Sequence, residues 1–80
     1  MNRRVVITGG AAGIGSRMAE RFAELGDRVA VCDADPKACA AFARDHEGIR
    51  VAVADVTKAE EMDRFLAEIE ADWGGVDVVC

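Results

Sequence analysis

Two patterns of apolar residues follow one another along this chain: short continuous runs, and longer segments in which apolar residues recur every three or four positions. Short runs rich in Val, Ile and Ala predict four buried strands, at residues 4–7, 28–32, 49–54 and 76–80. Apolar residues spaced three or four apart predict three intervening helices, at residues 14–25, 36 to about 47, and from a cap at residue 57 to 72. Strict β-α-β alternation predicts an α/β fold, with a parallel sheet and helical crossovers.

Helix ends are indicated by capping residues. Asp35 before Pro36 is typical of an N-cap followed by proline at the first helical position, and Gly48 is expected to end that helix. Thr57 and Glu60 have the spacing of a capping box at the start of the third helix. The pattern therefore places each helix between two turn signals.

Residues 8–15, T-G-G-A-A-G-I-G, form a glycine-rich loop between the first strand and the first helix. A strand, a glycine loop and a helix in this order turn free helix amides toward a phosphate group. The next strand ends in Asp33, 18 residues after Gly15, where an acidic side chain can accept hydrogen bonds from an adenosine ribose. These features predict dinucleotide binding, with NAD as the first candidate.

The spacing of the glycines separates this loop from related ones. A nucleotide-hydrolase loop requires Lys and Ser or Thr after its last glycine, whereas Ser16 and Arg17 follow here. The common G-x-G-x-x-G pattern is also absent, and the pattern present is T-G-x-x-x-G-x-G. With Asp33 and the pair Asp55-Val56, it resembles the short-chain dehydrogenase/reductase family over essentially the whole chain.

That resemblance implies a fold and a set of cofactor contacts. The fold would be a Rossmann-type parallel sheet with helices on both faces and strand order 3-2-1-4, part of a doubly wound fold. Asp55 would accept a hydrogen bond from the adenine amino group, and Val56 would pack on the ring. The expected cofactor-binding residues are Gly9, Ala12, Gly13, Ile14, Gly15, Asp33, Asp55 and Val56.

The choice between NAD and NADP depends on charge near the ribose. Asp33 would repel a 2′-phosphate, and neither Ala12 nor Ala34 supplies the basic side chain that would pair with it. We therefore expect NAD to be preferred over NADP.

Composition narrows the function classes further. A net charge of −5 and a pI near 4.7 argue against nucleic-acid binding. The three cysteines form no C-x-x-C pair, which indicates neither a metal site nor a disulfide framework and favours a reducing compartment, the cytoplasm by default. No apolar run is long enough to span a membrane.

The chemistry expected of the family is absent from these 80 residues. Relatives use a tyrosine in Y-x-x-x-K as general acid and base, and this chain contains no tyrosine, so no catalytic residue is assigned. We expect an N-terminal NAD-binding half whose catalytic half lies beyond Cys80, in a homo-oligomer acting on an alcohol or carbonyl substrate. Two alternatives stay open: an S-adenosylmethionine-dependent methyltransferase domain and a non-catalytic dinucleotide sensor.

Two further polar residues have structural interpretations. His46 is expected to interact with a helix C-terminus, and Ser16 to satisfy a local amide. The charged residues of the third helix are expected to form a solvated face; they are Glu60, Glu61, Asp63, Arg64, Glu68 and Glu70.

Overall fold

A computed structural model describes residues 2–80. Its strands are β1 (Arg4–Thr8), β2 (Arg28–Asp33), β3 (Arg50–Val53) and β4 (Val78–Val79). Its helices are α1 (Gly13–Glu24), α2 (Pro36–Asp45) and α3 (Ala59–Trp73). All seven predicted elements are present, and β4 is shorter than predicted.

The four strands form one parallel sheet in the order β3-β2-β1-β4. Val5 of β1 pairs with Val29 on one side and Val78 on the other, so β1 lies in the interior of the sheet. This confirms the predicted α/β class and the strand order implied by the family resemblance. In such a sheet the carboxyl ends of the strands meet at one edge, where open α/β folds bind ligands.

Alternate strand residues bury themselves against opposite helical layers. On one face, Ile7 and Val31 pack with Phe42 of α2 and with Ala19 of α1. On the other face, the buried set comprises Val6, Ala30, Cys32, Ala54, Phe65 and Ile69, the last two from α3. Because both faces are covered, the strands are almost continuously apolar, as their sequences predicted.

Two ion pairs fix β1 at the amino edge of the sheet. The guanidinium of Arg3 donates to Asp27, with Nη2 2.9 Å from Oδ2, and that of Arg4 donates to Asp77 over the same distance. The backbone amides of the two arginines donate to the same carboxylates. These bonds tie the start of β1 to the segments before β2 and β4, and so help align the strand ends at the opposite edge.

Two predicted helix boundaries were wrong. Helix α2 ends at Asp45, two residues before the predicted end near residue 47, and its C-cap is His46. The N-cap of α3 is Lys58 and not Thr57, because Thr57 donates from both its amide and its hydroxyl to Asp55. A carboxylate two residues upstream thus competes successfully with the capping box.

The expectation for Ser16 needs a similar correction. Its hydroxyl donates to the carbonyl oxygen of Gly13, at 2.8 Å, and accepts from no amide of residues 2–80. By contrast, Asp35 caps α2 as predicted, since its carboxylate accepts from the amide of Lys37 at 2.9 Å and Pro36 begins the helix.

Candidate functional site

The carboxyl ends of β1, β2 and β3 bring the predicted polar residues to one edge of the sheet. The amide of Gly10 donates to the carbonyl of Cys32, at 3.1 Å, which joins the glycine loop to β2. The amide of Ala54 donates to the carbonyl of Asp33, at 3.0 Å, which joins the end of β3 to β2. The loop, Asp33 and the start of the segment containing Asp55 are therefore held together by backbone bonds.

Two glycines give the loop its shape. Gly9 and Gly13 have φ angles of 64° and 60°, a left-handed conformation that side chains with a Cβ rarely adopt. A Cβ built on either residue would meet no atom within 4 Å besides its chain neighbours and, for Gly13, the adjacent backbone of α1. The backbone at both positions therefore borders open space into which a ligand can approach.

The other two loop glycines are needed for packing. A Cβ on Gly10 would lie 2.7 Å from the Cβ of Val31, and a Cβ on Gly15 would overlap the carbonyl oxygen of Gly9. Gly15 thus lets the first turn of α1 pack directly on the loop. Its observed role is internal to the protein, whereas Gly9 and Gly13 border the open side.

The amino end of α1 has no side-chain cap within residues 2–80. The N-cap is Ala12, the first turn carries no acidic residue, and the first amide to find a carbonyl is that of Ser16, which donates to Ala12. Unsatisfied amides and the positive end of the helix dipole make this terminus suited to an anion. An acidic cap, which would compete with a phosphate, is absent from this turn.

The carboxylate of Asp33 is hydrogen-bonded to the glycine loop. Its Oδ2 accepts from the amide of Ala11, at 3.4 Å, and its Oδ1 accepts from the amide of Asp35, at 3.2 Å. A carboxylate has about four lone-pair positions, so this half-buried group is oriented and still has acceptor capacity. Ala34, which follows Asp33, and Ala12, which follows Ala11 in the loop, are both exposed.

Asp55 is held in the segment between β3 and α3. Its Oδ1 accepts from the hydroxyl and the amide of Thr57, at 2.7 and 2.9 Å. These bonds lower the pKa of Asp55, so the side chain is a carboxylate at neutral pH. Oδ2 has no partner within the described part of the chain.

Apolar side chains are exposed near these polar groups. Ile14, in the first turn of α1, is 80% exposed, and Val56, next to Asp55, is 58% exposed. Ile14, one of the expected cofactor-binding residues, lies outside both buried clusters of the core. Both residues offer apolar surface at the carboxyl edge of the sheet.

Comparisons with known proteins agree with this geometry. The sequence model described as short chain dehydrogenase matches residues 3–80. This chain belongs to the short-chain dehydrogenase family. It is 37% identical over 78 residues to a sorbitol dehydrogenase of Cereibacter sphaeroides, covering 96% of this chain and 30% of that protein. The chain therefore spans less than a third of that relative's length.

Solved structures of short-chain dehydrogenases share the same fold. An apo SCOR enzyme from Clostridium thermocellum superposes with a TM-score of 0.88 and 33% identity, over 99% of this chain and 32% of that one. A 3-ketoacyl-(acyl-carrier-protein) reductase from Brucella melitensis, solved in complex with NADH, gives a TM-score of 0.88 at 28% identity. That match covers 96% of this chain and 32% of the reductase. The family match decides against the methyltransferase alternative.

Sequence reasoning overlooked one residue of this site. Glu61 was assigned to a solvated face, yet it is half-buried and its Oε1 accepts from the amide of Asp55, at 3.1 Å. A glutamate in the first turn of a helix that follows a strand-end aspartate is the only sequence signal for it. Within residues 2–80 there is no cluster of side chains that could hold a metal ion and no helix able to cross a membrane.

Proposed function

We propose that this chain is the NAD-binding part of an oxidoreductase that transfers hydride between a nicotinamide cofactor and an alcohol or carbonyl substrate. The observation that carries the proposal is the placement of Asp33. Its carboxylate is hydrogen-bonded to the loop at Ala11, next to an uncapped helix terminus. Asp33 can accept hydrogen bonds from a ribose, and the adjacent amino end of α1 can bind phosphate. The two groups therefore match the adenosine ribose and the diphosphate of an adenine dinucleotide.

Each group has a distinct role in this proposal. The amides at the start of α1 bind the diphosphate, and the left-handed glycines Gly9 and Gly13 leave room for it. Asp33 accepts hydrogen bonds from the adenosine ribose. Asp55 accepts one from the adenine amino group through its unpartnered Oδ2, and Val56 supports the ring. When bound, the cofactor supplies or accepts the hydride.

The preference for NAD over NADP follows from charge. A 2′-phosphate would approach the Asp33 carboxylate, and the exposed neighbours Ala12 and Ala34 provide no compensating positive charge. The NADH-bound reductase from Brucella melitensis supports a nicotinamide cofactor in this fold.

Hydride transfer also requires a proton donor or acceptor. The 80 residues include no tyrosine, and we assign no catalytic residue among them. We propose that the acid and base residues belong to sequence outside this chain, and that the complete protein is a cytoplasmic homo-oligomer acting on a small molecule, with no nucleic-acid partner. The relative from Cereibacter sphaeroides is named for sorbitol, a small polyol.

The test is a titration of the protein with NADH, NADPH and S-adenosylmethionine. We expect NADH to bind best, and Asp33→Ala to weaken NADH binding by about 1.5–3 kcal/mol, or roughly 10- to 140-fold in Kd. NADPH binding should weaken less, because the mutation also removes the repulsion between the Asp33 carboxylate and the 2′-phosphate.

Asp63→Ala is the matched control, since Asp63 is an exposed carboxylate of α3 and belongs to neither the glycine loop nor the segment between β3 and α3. An unchanged NADH-to-NADPH ratio in Asp33→Ala would contradict the proposed ribose contact. Preferential binding of S-adenosylmethionine would contradict the proposed cofactor class.

A further inference from the structure

The segment between β3 and α3 is shaped by an unusual arrangement of bonds around Asp55. In an ordinary capping box, the glutamate at the third helical position accepts from the amide of the N-cap residue. Here the N-cap is Lys58, whose amide donates instead to the carbonyl of Asp55, at 2.9 Å. Glu61, at the third helical position, reaches three residues further back and accepts from the amide of Asp55.

Asp55 is consequently held at three points. Glu61 fixes its amide, Lys58 fixes its carbonyl, and Thr57 fixes Oδ1 of its carboxylate. With those three groups engaged, the direction of the remaining oxygen, Oδ2, is set by the protein. Of these three residues, only Glu61 lies within α3, since Lys58 is the N-cap and Thr57 precedes it. The contact from Glu61 therefore connects the orientation of Asp55 to a helix packed on the sheet.

We propose that Glu61 is a positioning residue that aims the Asp55 carboxylate at the adenine amino group of the bound dinucleotide. The inference rests on the proposed function, and it adds a residue that determines specificity for the base. Glu61 itself does not touch the ligand. Its second oxygen, Oε2, lies 3.7 Å from Nζ of Lys58, which orients the Glu61 carboxylate without occupying the oxygen bonded to Asp55.

The experiment compares NADH with its deamino analogue, in which hypoxanthine replaces adenine. The analogue carries a carbonyl oxygen where adenine carries the amino group, so it offers an acceptor to the Asp55 carboxylate. We expect the parent protein to bind NADH more tightly than the analogue. In Glu61→Ala this preference should narrow by roughly 3- to 10-fold, the effect of one misdirected hydrogen bond.

Three further variants separate positioning from general stability. Glu61→Asp keeps the negative charge in the first turn of α3 but is too short to reach Asp55, so it should fold and still lose the preference. Glu61→Gln keeps an acceptor oxygen and should retain most of the preference. Glu60→Ala removes an exposed glutamate from the same turn and should leave the preference unchanged.

The outcomes are distinguishable. If the parent protein binds no NADH, the proposed function fails. If it binds NADH but binds the analogue equally well, dinucleotide binding stands, and both the contact from Asp55 to adenine and the positioning role of Glu61 are overturned. If the parent prefers NADH and Glu61→Asp keeps the full preference, the Asp55 contact stands and the positioning role of Glu61 is overturned. If Glu61→Ala does not fold, Glu61→Asp decides the matter, with the unfolding transition of each variant recorded alongside.

Discussion

Alanine substitution of three glycines should affect stability to three different degrees. Gly13 has a left-handed φ and open space around its missing Cβ, so Gly13→Ala introduces only backbone strain, about 1–2 kcal/mol. Gly15→Ala also places a Cβ on the carbonyl oxygen of Gly9, a backbone atom that can yield only if the loop moves. Gly48 has neither constraint, and Gly48→Ala should be neutral or stabilising by up to about 1 kcal/mol.

For a domain of this size, 1 kcal/mol corresponds to about 4–8 °C in Tm. Gly13→Ala should therefore melt about 4–16 °C below the parent protein, Gly15→Ala lower still, and Gly48→Ala close to the parent. Thermal and urea unfolding measure this series, and NADH titration of the same samples tests the ligand side. At Gly13 the new methyl group borders the proposed diphosphate position, so binding should be lost in protein that is still folded.

Two results would refute this reasoning. Equal melting of Gly13→Ala and Gly48→Ala would contradict the left-handed conformation of the loop. Unchanged melting of Gly15→Ala would contradict the close approach of α1 to the loop.

Two further predictions concern the core and the contact between α1 and α2. Ile69→Ala empties a fully buried site between α3 and the sheet and should cost about 2–5 kcal/mol in urea unfolding; a cost below about 1 kcal/mol would contradict that packing. Both ring nitrogens of His46 face acceptors, Glu20 Oε2 at 2.8 Å and the carbonyl of Phe42 at 3.0 Å, and the bond to Glu20 raises the pKa of His46 above its ordinary value. The contribution of His46 to the free energy of unfolding should be complete below about pH 6.5 and lost as pH rises through the folded-state pKa. Glu20→Gln should flatten this pH dependence of stability. The same pH dependence in the variant and the parent would contradict the contact between His46 and Glu20.

The sequence predicted those features that arise from local patterns. Asp35 before Pro36 caps α2 as expected, because both residues act on the helix that immediately follows them. Short, almost continuous apolar runs predicted the buried strands, since each strand lies between two helical layers. The strand ends therefore brought Gly13, Asp33 and Asp55 to the same edge.

Features that depend on competition between partners were not predictable. Thr57 was expected to cap α3, but its hydroxyl and amide both donate to the nearby Asp55 carboxylate. Glu61 accepts from the amide of Asp55. The pairing of His46 with Glu20 joins residues on two helices, and nothing in the local pattern specifies that distance. In each case the outcome was decided by which partner lay closest after folding.

Amide chemical-shift mapping during an NADH titration tests the central claim most directly, because it locates the bound dinucleotide on the fold. The account predicts the largest shifts at residues 9–15, 33–34 and 55–57, with little change at Arg28 and Arg50, which begin their strands at the opposite edge of the sheet. Largest shifts at that opposite edge, or along the outer faces of β3 and α3 with the glycine loop unaffected, would contradict it.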